Sequence, residues 1–403
     1  MSIIETHKKM GANGSQQQGD LMMLPKVSLI TAVKNRAKYI ENCMRSVVEQ
    51  DYPNIEHIVI DGASNDGTLE ILEKYRDRIR LYSEADDGPV DAFAKAMEKV
   101  TGDIIGFVMS DERYHPGAVE WAVKAFEAHP DAAIIFGDYR VVDEHYDLMY
   151  EWKSSPISFT QLLCCEKTIP ASASFIRTEA LKQQGKLVDV KELIQFNEFG
   201  LWVWIAMQHE IRYVPGMVAD YMLHSSSFTC TPSFYPKLLQ EKEKVIRTAL
   251  EDPRIPTKMR NLNDRALGGL FYWGAESVIE GAPEQGNAWF ARAKRLFSSM
   301  LRDLSGAKEL ALFGAGTEGR IAAAFLEAEN ITITKIIDNN QALWGTELKG
   351  KEVKGADALS GAEFVIVACS RWYEPIARQL ESLGFTETDY WRIPVQCLNV
   401  RQA

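Results

Sequence analysis

The chain has 403 residues, 46% of them hydrophobic and 25% charged, with a formal net charge of −11. That length allows two or three domains with real cores, and an acidic chain with no run of Lys or Arg excludes the electrostatic footprint of a nucleic-acid binder. Six scattered cysteines (Cys43, Cys164, Cys165, Cys230, Cys369, Cys397), without a CxxC pair or a Cys/His cluster at zinc spacing, point to reduced thiols in a cytoplasm, and no apolar run reaches the roughly 18 residues that span a bilayer.

Residues 1–25 are polar (THKKMGANGSQQQGD and flanks) and lack an apolar signal core, so they read as a disordered tail rather than a targeting peptide. Order is expected from Lys26. VSLITAV is a β-branched run that predicts a strand, and YIENCMRSVVEQ a helix. IEHIVIDG is a second strand. The turn Asn65-Asp66-Gly67 opens the helix TLEILEKY, and RIRLYSE is a third strand. VDAFAKAMEKV is a helix ended by Gly102, DIIGFVM a fourth strand and AAIIFGDYRVV a fifth. Strands alternating with helices predict a mostly parallel sheet with helices on its faces, over residues 26–232. Residues 233–304 turn helical: LLQEKEKVIRTAL, DRALGGLFYWGAESVIE and GNAWFARAKRLFSSML carry apolar residues at i, i+3, i+4 spacing. Residues 305–403 return to strands and helices (ELALFGAGTEGRIAAAFLEAE, ITKIIDNN, AEFVIVAC, EPIARQLESLGF) and read as a small separate α/β domain.

In an open parallel sheet, ligands bind beyond the carboxyl ends of the strands. Thr31, Ala32 and Val33 end the first strand and Asp61 the second. Glu84, Asp86 and Gly88 follow the third strand, with Asp91 just inside the next helix, and Asp111 and Glu112 follow the fourth. Three of the four strand ends therefore carry carboxylates, which raise each other's pKa unless something relieves them. A divalent cation with hard oxygen ligands, Mn²⁺ or Mg²⁺, or ligand donors such as a nucleobase N–H and ribose hydroxyls, would do so. Asp66, in N-D-G-T, also suits a turn and helix cap.

VSLITAVKNRAKYIENCMRSVVEQDYPNIEHIVIDGASNDGT, SEADDGPVDAFAKAM and TGDIIGFVMSDERYHPGA, taken together and in order, resemble the family 2 glycosyltransferases of the GT-A fold, over Lys26 to about Thr231. The resemblance implies that Asp61 contacts the base of a nucleotide-sugar, Asp111 the ribose or sugar, and Glu112 the metal on the diphosphate. The chain departs from the family pattern at Glu112, where Asp is usual, at Met109, and at Ala92-Phe93-Ala94-Lys95-Ala96, where Ala-x-Asn-x-Gly is usual. QFNEFGLWVWIA resembles the acidic segment before the family's Leu-Trp helix and gives Glu198 the place of the general base; the other reading of Glu198 is a helix cap. YMLHSSSFT resembles the family's closing segment, which puts His224 near the diphosphate; a hydrogen-bonded structural histidine is the alternative.

FGAGTEGR sets Gly314, Gly316 and Gly319 between a strand and a helix, and Asp338 ends the next strand. Such glycines let a phosphate approach a helix N-terminus while the acid meets a ribose. The part resembles Rossmann-like modules appended to sugar-modifying enzymes, with a nucleotide or NAD as its ligand or subunit contact as its role. The expectation is thus an α/β protein: a GT-A-type sheet flanked by helices, a helical segment, then a Rossmann-like domain. Its activity would be inverting transfer from a nucleotide-sugar, a UDP-sugar first, to a glycan, lipid-linked or protein hydroxyl in cell-surface or exopolysaccharide assembly. It would work in the cytoplasm, with peripheral attachment to the inner face of the membrane and homo-oligomerisation left open. The alternatives are a non-catalytic sugar-nucleotide binder or scaffold, and an NAD-dependent sugar oxidoreductase acting through the C-terminal domain.

Overall fold

A computed structural model describes residues 24–187, 198–225, 227, 230–394 and 398. The expected N-terminal tail up to residue 23, and residues 195–197 ahead of Glu198, lie outside the described residues. Two compact units form, Met1–Ser158 with Thr168–Cys230 and Phe159–Lys167 with Thr231–Ala403.

The first unit is built on strands β1 (Val27–Val33), β2 (Ile55–Asp61), β3 (Arg80–Ser83), β4 (Ile104–Phe107), β5 (Arg113–Tyr114), β6 (Ala132–Val142), β7 (Leu148–Trp152) and β8 (Ser174–Arg177). A small hairpin of β9 (Lys182–Gln183) and β10 (Lys186–Leu187) and the long β11 (Glu210–Met222) complete it. The main sheet runs β3-β2-β1-β4-β8-β6-β11-β5, with β7 on β6. Strands β3, β2, β1 and β4 are parallel. β8 is antiparallel to both β4 and β6, so β6, and β11 parallel to it, run in the direction of β4. The carboxyl ends of six strands therefore meet at one edge of the sheet.

The unit's helices are α1 (Ile40–Val48), α2 (Thr68–Glu73), α3 (Pro89–Met97) and α4 (Ala118–Ala128), followed after α5 (Phe159–Leu163), which belongs to the second unit, by α6 (Phe199–Ala206). Leu29, Val59, Ile104, Ile135 and Phe175 on the strands pack with Met44 and Val47 of α1 and Val119, Val123 and Phe126 of α4. β1 is buried along almost its whole length, as a central parallel strand covered on both faces must be. At its start Glu56 gathers Ser28, Thr101, Lys26 and Arg80. Burial opposes its charge, but the hydrogen bonds from Ser28, Thr101 and Lys26 outweigh burial and hold the carboxyl down to about 2. A depressed carboxyl contributes stability that is present above its unfolded value, near 4.5, and fades as pH falls toward 2. We therefore expect Glu56→Gln to unfold at lower temperature than wild type at pH 7, and the gap to close as melting is repeated down to the acid limit.

The second unit places helices α7 (Tyr235–Glu251), α8 (Thr257–Arg260), α9 (Asn263–Val278) and α10 (Pro283–Ala307) with a six-stranded sheet. The sheet comprises β12 (Leu310–Phe313), β13 (Lys335–Ile337), β14 (Glu347–Leu348), β15 (Lys351–Lys354), β16 (Phe364–Val367) and β17 (Tyr390–Arg392) in the order β14-β15-β13-β12-β16-β17. From β15 to β17 neighbours are all parallel, and α11 (Thr317–Ala328) and α12 (Tyr373–Ser382) follow β12 and β16. Buried Arg265 on α9 donates to Glu166 at 2.8 Å and to the carbonyls of Glu387 and Tyr390 at 3.0 and 3.2 Å, and Phe297 of α10 packs on Trp391 with ring centroids 4.7 Å apart. The helices and the small sheet thus share buried side chains.

Gly314 has φ of +112°, and a Cβ at Gly319 would stand 1.9 Å from the Gly314 carbonyl oxygen. The turn into α11 closes only if residue 319 has no side chain. Gly319→Ala should cost about 1–3 kcal/mol of unfolding free energy, read by denaturant melts. Among the described residues no helix is long and apolar enough to cross a membrane, and the five described cysteines form no disulfide.

Candidate active site

At the shared carboxyl edge the acids fall into two groups. The first lies beyond β2 and β3. Asp61 is fully buried at the end of β2, and its Oδ2 accepts from the Ser64 amide at 3.1 Å and the Ser83 hydroxyl at 2.7 Å. Its Oδ1 is buried with no hydrogen-bond partner. An unsatisfied buried oxygen on a carboxylate is costly in a folded chain, so it marks a place for an outside donor. Asp86 accepts from the Gly88 amide at 3.0 Å and lies 3.9 Å from Lys34. It packs so closely on the chain leaving β2 that a Cβ at Gly62 would come within 2.3 Å of its Oδ2. Gly88, at φ +107°, turns the chain into α3, where Asp91 pairs with Lys95 at 3.2 Å. Lys95 also reaches Glu84 at 3.4 Å and the Ala85 carbonyl at 2.8 Å, so the residue inside the divergent Ala92–Ala96 segment ties this loop together. Asn35 and Ala63, in the loops after β1 and β2, both hold positive φ, a strained backbone typical of functional loops.

The second group lies beyond β4. Glu112 is buried, hydrogen-bonded by Ser172, and its Oε2 has no partner. Burial first, then the charge of Asp111, and also that of Glu198, push its carboxyl well above the usual range. Asp111 Oδ2 stands 3.0 Å from Nε2 of His224, whose ring stacks on Tyr39 at 4.9 Å and whose amide donates to Ser227. Glu198 sits at the N-terminal boundary of α6 but makes no capping hydrogen bond with its side chain. Its helix is fixed by buried Trp202, which meets Phe107 of β4 edge-on at 6.3 Å. So the fold brings together Asp111, Glu112, Glu198 and His224, four residues spread over more than a hundred positions of sequence.

Other expected residues stand differently. Thr31 is wholly buried; its hydroxyl donates to the Val108 carbonyl at 2.9 Å and lies 2.9 Å from His57 Nε2. Val33 is buried and Ala32 half-buried. Asp66 bonds the amide and hydroxyl of Thr68 and the Ala37 amide, which makes it the organiser of the turn before α2. In the second unit Asp338 accepts from the amides of Ala315 and Asn340, both at 2.7 Å. Gly316 faces open space, and Glu318 is held by Ser370.

Sequence reasoning missed the support beneath Asp111 and Glu112. Buried Asp220 on β11 accepts from Arg113 at 2.5 Å and from Arg140 at 2.8 Å, and lies 2.6 Å from His115 Nε2. Burial raises its carboxyl, but His115, Arg140 and Arg113 overcome that and hold it below the ordinary range. Arg113 immediately follows Glu112, so this cluster anchors the acidic loop to two strands. Asp220 and Arg140 are far from the loop in sequence, and only the pairing register of β5, β11 and β6 aligns them. Among the described residues no group of three or more His, Cys, Asp or Glu side chains is disposed to hold a metal ion by itself.

Comparison with known proteins adds the following. Residues 28–182 match the family described as Glycosyl transferase family 2, and residues 306–389 match one described as C2185-like, N-terminal. TuaG of Bacillus subtilis (strain 168), named as a teichuronic acid biosynthesis glycosyltransferase, is 31% identical over 140 residues, 34% of this chain and 55% of that protein. Chondroitin synthase of Escherichia coli is 29% identical over 193 residues, 46% of this chain and 28% of that protein. The chain therefore spans about half or less of these curated relatives. The solved structure of S. aureus TarS 1-349 superposes with a TM-score of 0.50 at 17% identity, covering 76% of this chain and 88% of that one, which shows a common fold. Residues 28–182 thus match a family 2 glycosyl transferase domain, and the unit that contains them is a mixed sheet flanked by helices.

Proposed function

We propose that the first unit is an inverting glycosyltransferase that moves a sugar from a nucleotide-sugar, UDP-linked in the first instance, to a hydroxyl acceptor in the assembly of a cell-surface polysaccharide. The observation that carries this reading is the meeting, at one sheet edge of the first unit, of Glu112 with both Asp111 and Glu198. The names of the relatives, which refer to teichuronic acid and chondroitin synthesis, agree with the product class.

The bare Oδ1 of Asp61 suits the N–H of a nucleobase. For a divalent cation the donor set fits in kind: two hard carboxylates, one with an unpaired buried oxygen, with the remaining ligands left to diphosphate and water, as Mg²⁺ and Mn²⁺ prefer. Asp111 and Glu112 would hold it, and when bound it offsets the charge that develops on the leaving diphosphate. Glu198 takes the proton of the acceptor hydroxyl as that oxygen bonds to the anomeric carbon. The bond from that carbon to the diphosphate oxygen breaks, and its electron pair leaves with the nucleoside diphosphate. Attack and departure on opposite faces invert the anomeric centre. His224, 3.0 Å from Asp111, orients that carboxylate.

Calorimetric titration of the full chain with a panel of sugar nucleotides, with and without Mn²⁺, tests the reading. Saturable binding of at least one, strengthened by metal and followed by slow release of free sugar, is expected. Absence of binding by every member would overturn it.

A further inference from the structure

The carboxyl edge of the first sheet extends past the acids. β6 ends there at Val142, and the chain turns back through β7, an edge strand that among the described residues pairs only with β6. The register sets Tyr139 opposite Trp152 and Val141 opposite Tyr150, while β11 sets Tyr221 opposite Val141. Since side chains alternate along a strand, Tyr139, Tyr150, Trp152 and Tyr221 share one face, and Arg140, Glu151 and Asp220 the other. Trp152 stacks on Tyr139 with centroids 6.2 Å apart and planes at 23°, and Tyr139 meets Tyr221 edge-on at 6.2 Å. The rings at the rim remain open: Tyr150 is 48% and Trp152 51% exposed.

Edge strands are ordinarily blunted by charge, and a contiguous exposed aromatic patch marks a binding surface. Tyr139 links this patch to the acids. Its phenol is pushed up by burial and then by Tyr150 and Glu112, so all three groups lie within electrostatic reach. The occupant's chemistry follows from the rings. A pyranose ring has an apolar C–H face and a hydroxyl rim. Flat rings with an O–H or N–H at their edge match both, in a way an aliphatic surface does not.

We propose that Tyr150 and Trp152, backed by Tyr139 and Tyr221, are a subsite for sugar rings of the acceptor, which makes the acceptor a glycan chain. The proposal rests on the reading of the first unit as a glycosyltransferase. Its test uses the full chain, saturation-transfer NMR and three probes: chitotetraose, cellotetraose and a chondroitin tetrasaccharide. Wild type should bind at least one saturably. Tyr150→Ala with Trp152→Ala should weaken that binding by about tenfold or more, the loss expected for truncated ring contacts, whereas Trp152→Phe should keep most of it. Both variants lie at an exposed edge, and circular dichroism confirms their fold. No saturable transfer to any probe in wild type, or equal transfer in the double variant, overturns the subsite. So does a wild-type dimer, or binding to anionic phospholipid vesicles, that the double variant alone loses, since either would give the patch to a second copy or a membrane. Sugar-nucleotide titration of wild type, run beside it, reports on the glycosyltransferase reading separately.

Discussion

Glu198→Gln should retain donor binding and lose transfer. The amide has nearly the shape of the carboxylate but accepts no proton near neutral pH. A positioned general base contributes about 10²- to 10⁴-fold, so kcat should fall by that factor while the donor Kd moves little. The structural alternative for Glu198, capping α6, predicts a loss of stability with normal turnover. Its nearness to Glu112 adds a second expectation. Removing the Glu198 charge removes one of the repulsions that raise the Glu112 carboxyl, so Glu112 should ionise more readily in the variant. Donor affinity in the presence of metal should therefore be unchanged or slightly tighter. Near-wild-type transfer would take Glu198 out of the chemistry.

The strands and helices of the first half were legible because each is a local signal. VSLITAV becomes β1 and AAIIFGDYRVV becomes β6 without adjustment, and the helices differ from expectation by a few residues at their ends. β11 was not legible. Its thirteen residues contain Pro215 and Gly216, which normally argue against a strand interior, and the register shifts between Tyr213 and Met217. The reason for that irregularity is tertiary: a Cβ at Gly216 would lie 2.4 Å from Nε1 of Trp121, whose indole donates to the Pro215 carbonyl. β7 was missed for a related reason. Its residues are all exposed, so it shows no alternation of apolar and polar positions for a sequence pattern to detect.

The same division applies to the site. Asp111 and Glu112 could be found from sequence because a buried strand running into two acids is a local anomaly. Their relation to Glu198, His224 and Ser172 depends on where β8, α6 and β11 are placed, and no spacing rule carries that. The polar cluster of Asp220, Arg113, Arg140 and His115 is the plainest case. Each member is unremarkable in its own segment, and together they balance one buried carboxylate with two guanidinium groups and an imidazole. An ion network of this kind adds more to the fixed position of the loop after β4 than to net stability, since the cost of burying the charges largely offsets their attraction.

Glu112→Ala should separate the two reasons for burying a carboxyl beside Asp111. If Glu112 serves a cation, wild type and variant should bind the donor alike without metal, and Mn²⁺ should tighten binding only in wild type. A gap of about 10- to 100-fold at saturating metal corresponds to roughly 1.4–2.8 kcal/mol, a reasonable value for one charged ligand in a desolvated site. Stability should move the other way. The folded protein holds the Glu112 proton more tightly than the unfolded chain does. Without metal, its contribution is therefore most favourable below the unfolded value near 4.5 and is lost as pH rises toward the elevated folded value. Glu112→Gln, which keeps the shape, should accordingly melt at or above the wild-type temperature at pH 8, with the difference shrinking toward pH 5. Saturating Mn²⁺ should reverse the order at pH 8, because the cation stabilises only the chain that has the carboxylate. A variant that melts lower than wild type at every pH, with an unchanged Mn²⁺ effect on donor binding, would make Glu112 a packing residue held by Ser172 and leave Asp111 as the carboxylate to test for the metal.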